Sequence, residues 1–281
     1  MADVMLPDEG LSDVAIPDPH LAAPQLAVLV AALAAFLWAA RIVVGRLRNG
    51  QTLLPERPQA AVPWEAEDVG LVILAYLGGA MMLAGTPADG PLLDRLVTNV
   101  FLSLGTTCAA MAWLRFRGAT REDLGLVGGF WRDDLRVACG GVALVVFPLL
   151  MLAAALNAVV RYKHVIVDFL GDQRSGAAVA LVVVSAVVVA PVAEEFFFRR
   201  VLQGWLQKRF PGDAPRAIGI ASLAFAAAHA GQGLAFVPLF PLAMVLGYIA
   251  ARTGSIVPCI LLHGLFNAVS VTLLLMQPAA G

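Results

Sequence analysis

The chain has 281 residues, of which 60% are hydrophobic and 14% charged, with a mean hydropathy of +0.82. Soluble domains carry about 25% charge, so the composition excludes an ordinary soluble fold and identifies a polytopic membrane protein. A net charge of −1 gives no basis for nucleic-acid binding. The three cysteines, Cys108, Cys139 and Cys259, all fall in apolar segments and read as small buried hydrophobes rather than a disulfide framework.

Residues 1–24 carry Asp3, Asp8, Glu9, Asp13 and Asp18, several prolines and no Lys or Arg, and are expected to form a disordered acidic arm without a cleavable signal peptide. Residues 25–281 read as a single transmembrane helical domain. Its first span is expected near Gln25–Val44, followed by a Pro-rich loop with Pro55, Pro58 and Pro63. Pro63-Trp64-Glu65 reads as an interfacial anchor for the second span. Further spans are expected near Val69–Ala84, Leu92–Leu114 and Leu135–Val160, each near the length a membrane helix needs. A polar break at Arg161–Arg174 precedes a helix over Ala177–Arg209, with a kink expected at Pro191. Arg216–Ala230, Ala235–Ala251 and Val257–Leu275 complete an all-α bundle of about eight transmembrane helices. Basic residues cluster in alternate loops, which predicts cytoplasmic basic loops and both termini outside.

Glu194 and Glu195 interrupt one of the most apolar stretches, Leu181–Phe198. A carboxylate at membrane depth costs about 2.5–3.5 kcal/mol on insertion scales and generally faces a bundle interior or a watery cavity. Measured along helices from Lys208, Arg216 and Arg252, Glu194, His229, His263 and Asn267 all lie about 16–22 Å deep. The common depth predicts one polar site near the membrane midplane. Glu195 and Arg199 are spaced i, i+4 and can pair on one helix face, while Glu194 points about 100° away and is free to face a cavity. His263 and Asn267 share a face and can act on one substrate atom. Cys259, four residues before His263, is expected to serve in packing.

These residues resemble the CPBP family, the CAAX protease and bacteriocin-processing (Abi) intramembrane proteases, through three ordered motifs. They read Glu194-Glu195-Phe196-Phe197-Phe198-Arg199, Phe225-Ala226-Ala227-Ala228-His229 and His263-Gly264-Leu265-Phe266-Asn267. The similarity covers 177–268, with the Thr253-Gly254-Ser255 turn inside it and fainter likenesses at Pro63-Trp64-Glu65 and Asp123-Leu124-Gly125-Leu126. One departure is Arg200, where members commonly have a small glycine.

The resemblance implies peptide hydrolysis in the membrane, as in the type II CAAX prenyl endopeptidases. On that basis Glu194 and His229 hold and activate water, His263 and Asn267 stabilise the oxyanion, and Glu195 with Arg199 supports the geometry. The expected substrate is a membrane-associated or lipidated protein or peptide. The expected location is the bacterial cytoplasmic membrane. No cofactor is expected, with a zinc-dependent variant as the alternative, because Glu194, His229 and His263 form a His₂Glu ligand set. Asn267 is a poor zinc ligand, and no His-Glu-x-x-His helix is present. Non-proteolytic readings are a membrane scaffold or immunity protein of the same fold and a proton-coupled transporter. The absence of an internal repeat argues against the transporter.

Overall fold

A computed structural model describes residues 23–54, 56–57, 59–85, 92–127, 130–159 and 176–276. Most of the acidic arm, the 161–174 break, Pro55 and Pro58 lie outside the described residues. Among the described residues all regular structure is helical. The helices are α1 (Ala23–Arg48), α2 (Ala66–Ala84), α3 (Leu92–Phe116), α4 (Trp131–Val159), α5 (Gly176–Arg209), α6 (Ala214–Ala228), α7 (Phe236–Thr253) and α8 (Val257–Leu275). Seven are long and apolar enough to cross a membrane; α6 is a shorter apolar helix. The protein is a polytopic integral membrane protein built as a helical bundle.

Apolar side chains gain little by leaving lipid for one another, so close packing and polar contacts must hold such a bundle together. Glycines supply the close approaches. A Cβ at Gly141 of α4 would collide with Leu262 of α8. One at Gly247 of α7 would stand 2.8 Å from Ile218 Cγ2 on α6. Two main apolar clusters result. One joins α4, α7 and α8 through Leu149, Leu246 and Leu262; the other joins α2, α3 and α5 through Val72, Leu114 and Phe196.

The Pro63-Trp64-Glu65 segment differs from its expected interfacial role. Trp64 is buried, and its indole N–H donates to Val201 O on α5 at 3.1 Å. Glu65 caps α2 in a reciprocal pair with Asp68 and also binds Lys208 Nζ at 2.6 Å. The capping of α2 and the indole bond to α5 therefore hold the segment inward. Cys108 and Cys139 likewise differ from expectation and are exposed on the outer face of the bundle. Cys259 is buried, its thiol lying 3.3 Å from Leu246 O.

The helix α5 is not uniform. It has π-helical turns at Ser185–Val189 and Phe196–Leu202, on either side of Pro191 and the two glutamates. The first is a consequence of sequence. Proline has no N–H and its ring clashes with the carbonyl four residues back. The chain widens by one residue there, and Ala190 N–H donates to Ser185 O, five residues back. In that register the nitrogen facing Ala186 O belongs to Pro191, so Ala186 O is left without a helical donor.

Candidate active site

Two helices and one helix end meet at Glu194. The residue comes from the short α-helical stretch Ala190–Glu195 between the two π-helical turns. His229 sits at the C-terminal cap of α6, with non-helical φ −100° and ψ 5°, where the chain enters a 3₁₀ turn at Ala230–Ala235. His263 comes from the second turn of α8, whose start is set by the turn at Gly254. There φ is +67°, a left-handed conformation suited to glycine, and Thr253 Oγ1 accepts from Ser255 N at 3.3 Å.

Glu194 Oε2 lies 3.9 Å from His229 Nε2 and 3.9 Å from His263 Nε2. Both separations exceed a hydrogen bond. The other ring nitrogens are already engaged. His229 Nδ1 is 2.8 Å from Phe225 O, a carbonyl that can only accept, so Nδ1 carries the proton. His263 Nδ1 is 2.9 Å from Glu195 Oε1, and an ionised Glu195 fixes the proton on Nδ1 there too. Each imidazole thereby turns Nε2 towards Glu194. Exposure grades across the group, with side-chain values of 26% for Glu194, 15% for His229, 4% for His263 and zero for Glu195 and Arg199.

The spacing of Glu195 and Arg199 predicts a pair, and one is found, with Nε donating to Oε2 at 3.0 Å. The terminal nitrogens of Arg199 are buried without hydrogen-bond partners among the described residues, but its guanidinium lies 5.1 Å from the Phe225 ring centre. The same ring is 4.8 Å from the His229 ring, 5.8 Å from the His263 ring and 5.1 Å from Phe198. Phe225 is thus the apolar spacer that keeps both imidazoles and the guanidinium in register. Sequence reasoning gave it a motif position but no role.

Asn267 stands one turn beyond His263 and makes its described contact elsewhere. Its Nδ2 donates at 2.8 Å to Ala186 O, the carbonyl that Pro191 leaves without a helical donor. One amide proton remains uncommitted in that bond. Gly264 completes the junction, since a Cβ there would stand 2.6 Å from Val187 O. Tyr76 was missed as well. Its hydroxyl on α2 donates to Ala193 O at 3.3 Å and shares a hydrogen bond with Thr107 Oγ1 at 2.9 Å, and its ring lies 5.1 Å from that of Phe197. An isolated tyrosine in an apolar span gave no pattern to follow.

Among the described residues no group of three His, Cys, Asp or Glu side chains is arranged to hold a metal ion. Ligands at zinc distances of about 2.0–2.2 Å stand about 3.4 Å apart in a tetrahedron, whereas the nitrogens here are each 3.9 Å from the carboxylate.

The geometry coincides with a segment that matches a known family. Residues 176–269 match the family model described as type II CAAX prenyl endopeptidase Rce1-like. The match covers about a third of the chain and makes this segment similar to that family. At family level that similarity supports a protease of the CAAX-type intramembrane endopeptidase class. The matched segment begins with α5 and ends two residues beyond Asn267, so it contains Glu194, Glu195, Arg199, His229, His263 and Asn267, while Tyr76 lies outside it. No curated protein and no solved structure matches the chain.

Proposed function

We propose that the protein hydrolyses a peptide bond of a membrane-associated or lipidated protein or peptide, using water activated by Glu194 and His229 without a metal ion. The supporting observation is the facing of both imidazole Nε2 atoms towards one Glu194 oxygen, each at 3.9 Å. A contact of that length between polar groups suits a bridging water. Neutral His229 presents a lone pair at Nε2 and ionised Glu194 presents another acceptor. A water between them has an acceptor for each proton and its own lone pair free for attack.

In the reaction the water oxygen bonds to the scissile carbonyl carbon while Glu194 takes a proton. The carbonyl oxygen becomes an oxyanion. His263 donates to it from Nε2 when both ring nitrogens are protonated, with the Nδ1–H held by Glu195. The remaining amide proton of Asn267 is the second donor, offered beside its structural bond. The tetrahedral species collapses by breaking the C–N bond. Glu194 returns its proton to the leaving nitrogen, giving a carboxylic acid and an amine. Donors fixed in a dry site are worth about 2.7–4 kcal/mol each to such an oxyanion. The substrate must be locally unwound, because a helix ties up its own carbonyls in hydrogen bonds.

The test compares the membrane proteome and released peptides of cells carrying either wild-type protein or Glu194→Ala at matched levels. New chain termini present only with wild type are expected and would identify the substrate. Identical termini in both would overturn the proteolytic reading in favour of a scaffold. Purified protein cleaving the identified substrate in liposomes is expected to keep its rate in excess EDTA or phenanthroline. Loss restored by zinc would instead assign Glu194, His229 and His263 to a metal.

A further inference from the structure

A cavity of about 430 Å³ lies at the basic end of the bundle, away from the candidate active site. It is bordered by Glu56, Arg57 and residues 59–62, the last turns of α5, the α5–α6 turn and Ala251 of α7, and neither Glu194, His229 nor His263 lines it. Its walls carry three cations, Arg57, Arg200 and Lys208, and one carboxylate, Glu56. Glu56 is already engaged by Arg252 Nη1 at 2.7 Å. Arg57 and Lys208 have partners behind the wall, Asp134 at 3.3 Å and Glu65 at 2.6 Å.

Arg200 is different. It is 7% exposed and makes no ion pair among the described residues. Its Nε donates to Asp123 O, its Nη2 donates to Glu122 O at 3.2 Å, and its guanidinium lies 5.9 Å from the Trp64 ring centre. Carbonyl dipoles solvate the group, and the Asp123 carboxylate acts on it only from beyond ion-pair contact, so burial of the cation is incompletely offset. The fold leaves room for this side chain. Gly125, at φ +74°, is so close that a Cβ there would stand 3.2 Å from Arg200 Cδ.

Depth adds a second constraint. Lys208 and Arg209 form the last turn of α5, which puts the cavity mouth at the membrane–water boundary. Basic pockets between helices at that level suit anionic headgroups, and a guanidinium matches phosphate geometry in particular. We propose that the cavity binds a phosphate-bearing anion. Arg200 forms its floor, Arg57 and Lys208 add positive charge, and the Gln207 amide is a neutral donor. Occupancy links Arg57 and residues 59–62 to the end of α5, the helix that carries Glu194.

The experiment uses the full chain in phosphatidylcholine nanodiscs with graded phosphatidylglycerol, reading retained lipid per protein by native mass spectrometry. One retained phosphatidylglycerol per chain is expected. Gln207→Glu places a carboxylate in the lining without deleting a charge partner and is expected to weaken retention about ten-fold or more. Arg200→Gln is expected to do the same, with thermal melting as the check on its folding. Arg209→Gln, exposed and outside the lining, is expected to retain lipid as wild type does. Displacement by millimolar inorganic phosphate would assign the site to free phosphate, and resistance to it would assign the site to the lipid headgroup; both sustain the proposal. Equal retention by wild type and Gln207→Glu, or an equal loss in Arg209→Gln, overturns it. The readout is binding, so the result is independent of whether the protein cleaves peptides.

Discussion

The first and fifth spans are nearly alike in hydropathy, yet 28% of the apolar window of α5 is buried inside the protein against 6% for α1. In α1 the buried residue is Ala39, and a ring contact between Phe36 and Phe147 at 6.0 Å helps to hold it against α4. In α5 one face holds a buried ion pair and another holds the partly exposed carboxylate of Glu194, with two π-helical turns flanking the glutamates. A helix surrounded by lipid needs only to be apolar. A helix that carries ionisable groups at membrane depth must be enclosed by partners that satisfy them, and this requirement draws α6, α7 and α8 around it.

The sharpest way to break the contrast is to remove the groups that only α5 and its neighbours carry. Glu194→Ala and His229→Ala are each expected to reduce the cleavage rate by about 10²–10⁴ or more, the range for a lost general base. Their melting temperatures in detergent should stay near wild type, because both side chains are partly exposed. A Glu194→Ala enzyme retaining full activity would sink the mechanism.

Next in size is Glu195→Gln, which leaves Arg199 as a buried charge without its counter-ion. Breaking such a pair from one side costs about 3–5 kcal/mol, so a large drop in thermal stability should accompany the loss of rate. A well-folded and fully active variant would remove Glu195 from its supporting role.

A subtler test concerns Asn267. Losing its bond to Ala186 O should cost about 1 kcal/mol in stability. In a Pro191→Ala background the helix regains a backbone N–H that can serve that carbonyl, so Asn267→Ala should cost less there. Additive losses in this double-mutant cycle would show that Pro191 and Asn267 are uncoupled. Any rate defect of Asn267→Ala that persists in the Pro191→Ala background measures its contribution beyond the structural bond.

The smallest effects are expected from Cys259→Ala, which should leave activity nearly unchanged, and from Trp38→Ala on α1, which is 64% exposed. The latter should stay within about 0.5 kcal/mol of wild type. Complete loss of cleavage in the cysteine variant would redirect the mechanism to a thiol nucleophile.

Much of this was legible in the sequence because helix geometry is nearly fixed. A constant rise per residue brought Glu194, His229 and His263 to one depth before any tertiary contact was known, and an i, i+4 spacing was enough to pair Glu195 with Arg199. The apolar runs likewise delimited the spans, since length and hydropathy decide what can cross a bilayer. What the sequence did not carry were contacts whose partners lie far apart along the chain. Trp64 read as an interfacial anchor and is instead a buried donor to Val201 O. Asn267 read as a partner of His263 on a shared face, but its described bond serves the carbonyl left without a donor by Pro191, 76 positions earlier in the chain. Periodicity tells a residue's face and height, and those are local properties. Which donor meets which vacant acceptor depends on how helices rotate and approach, and only the packed bundle decides that.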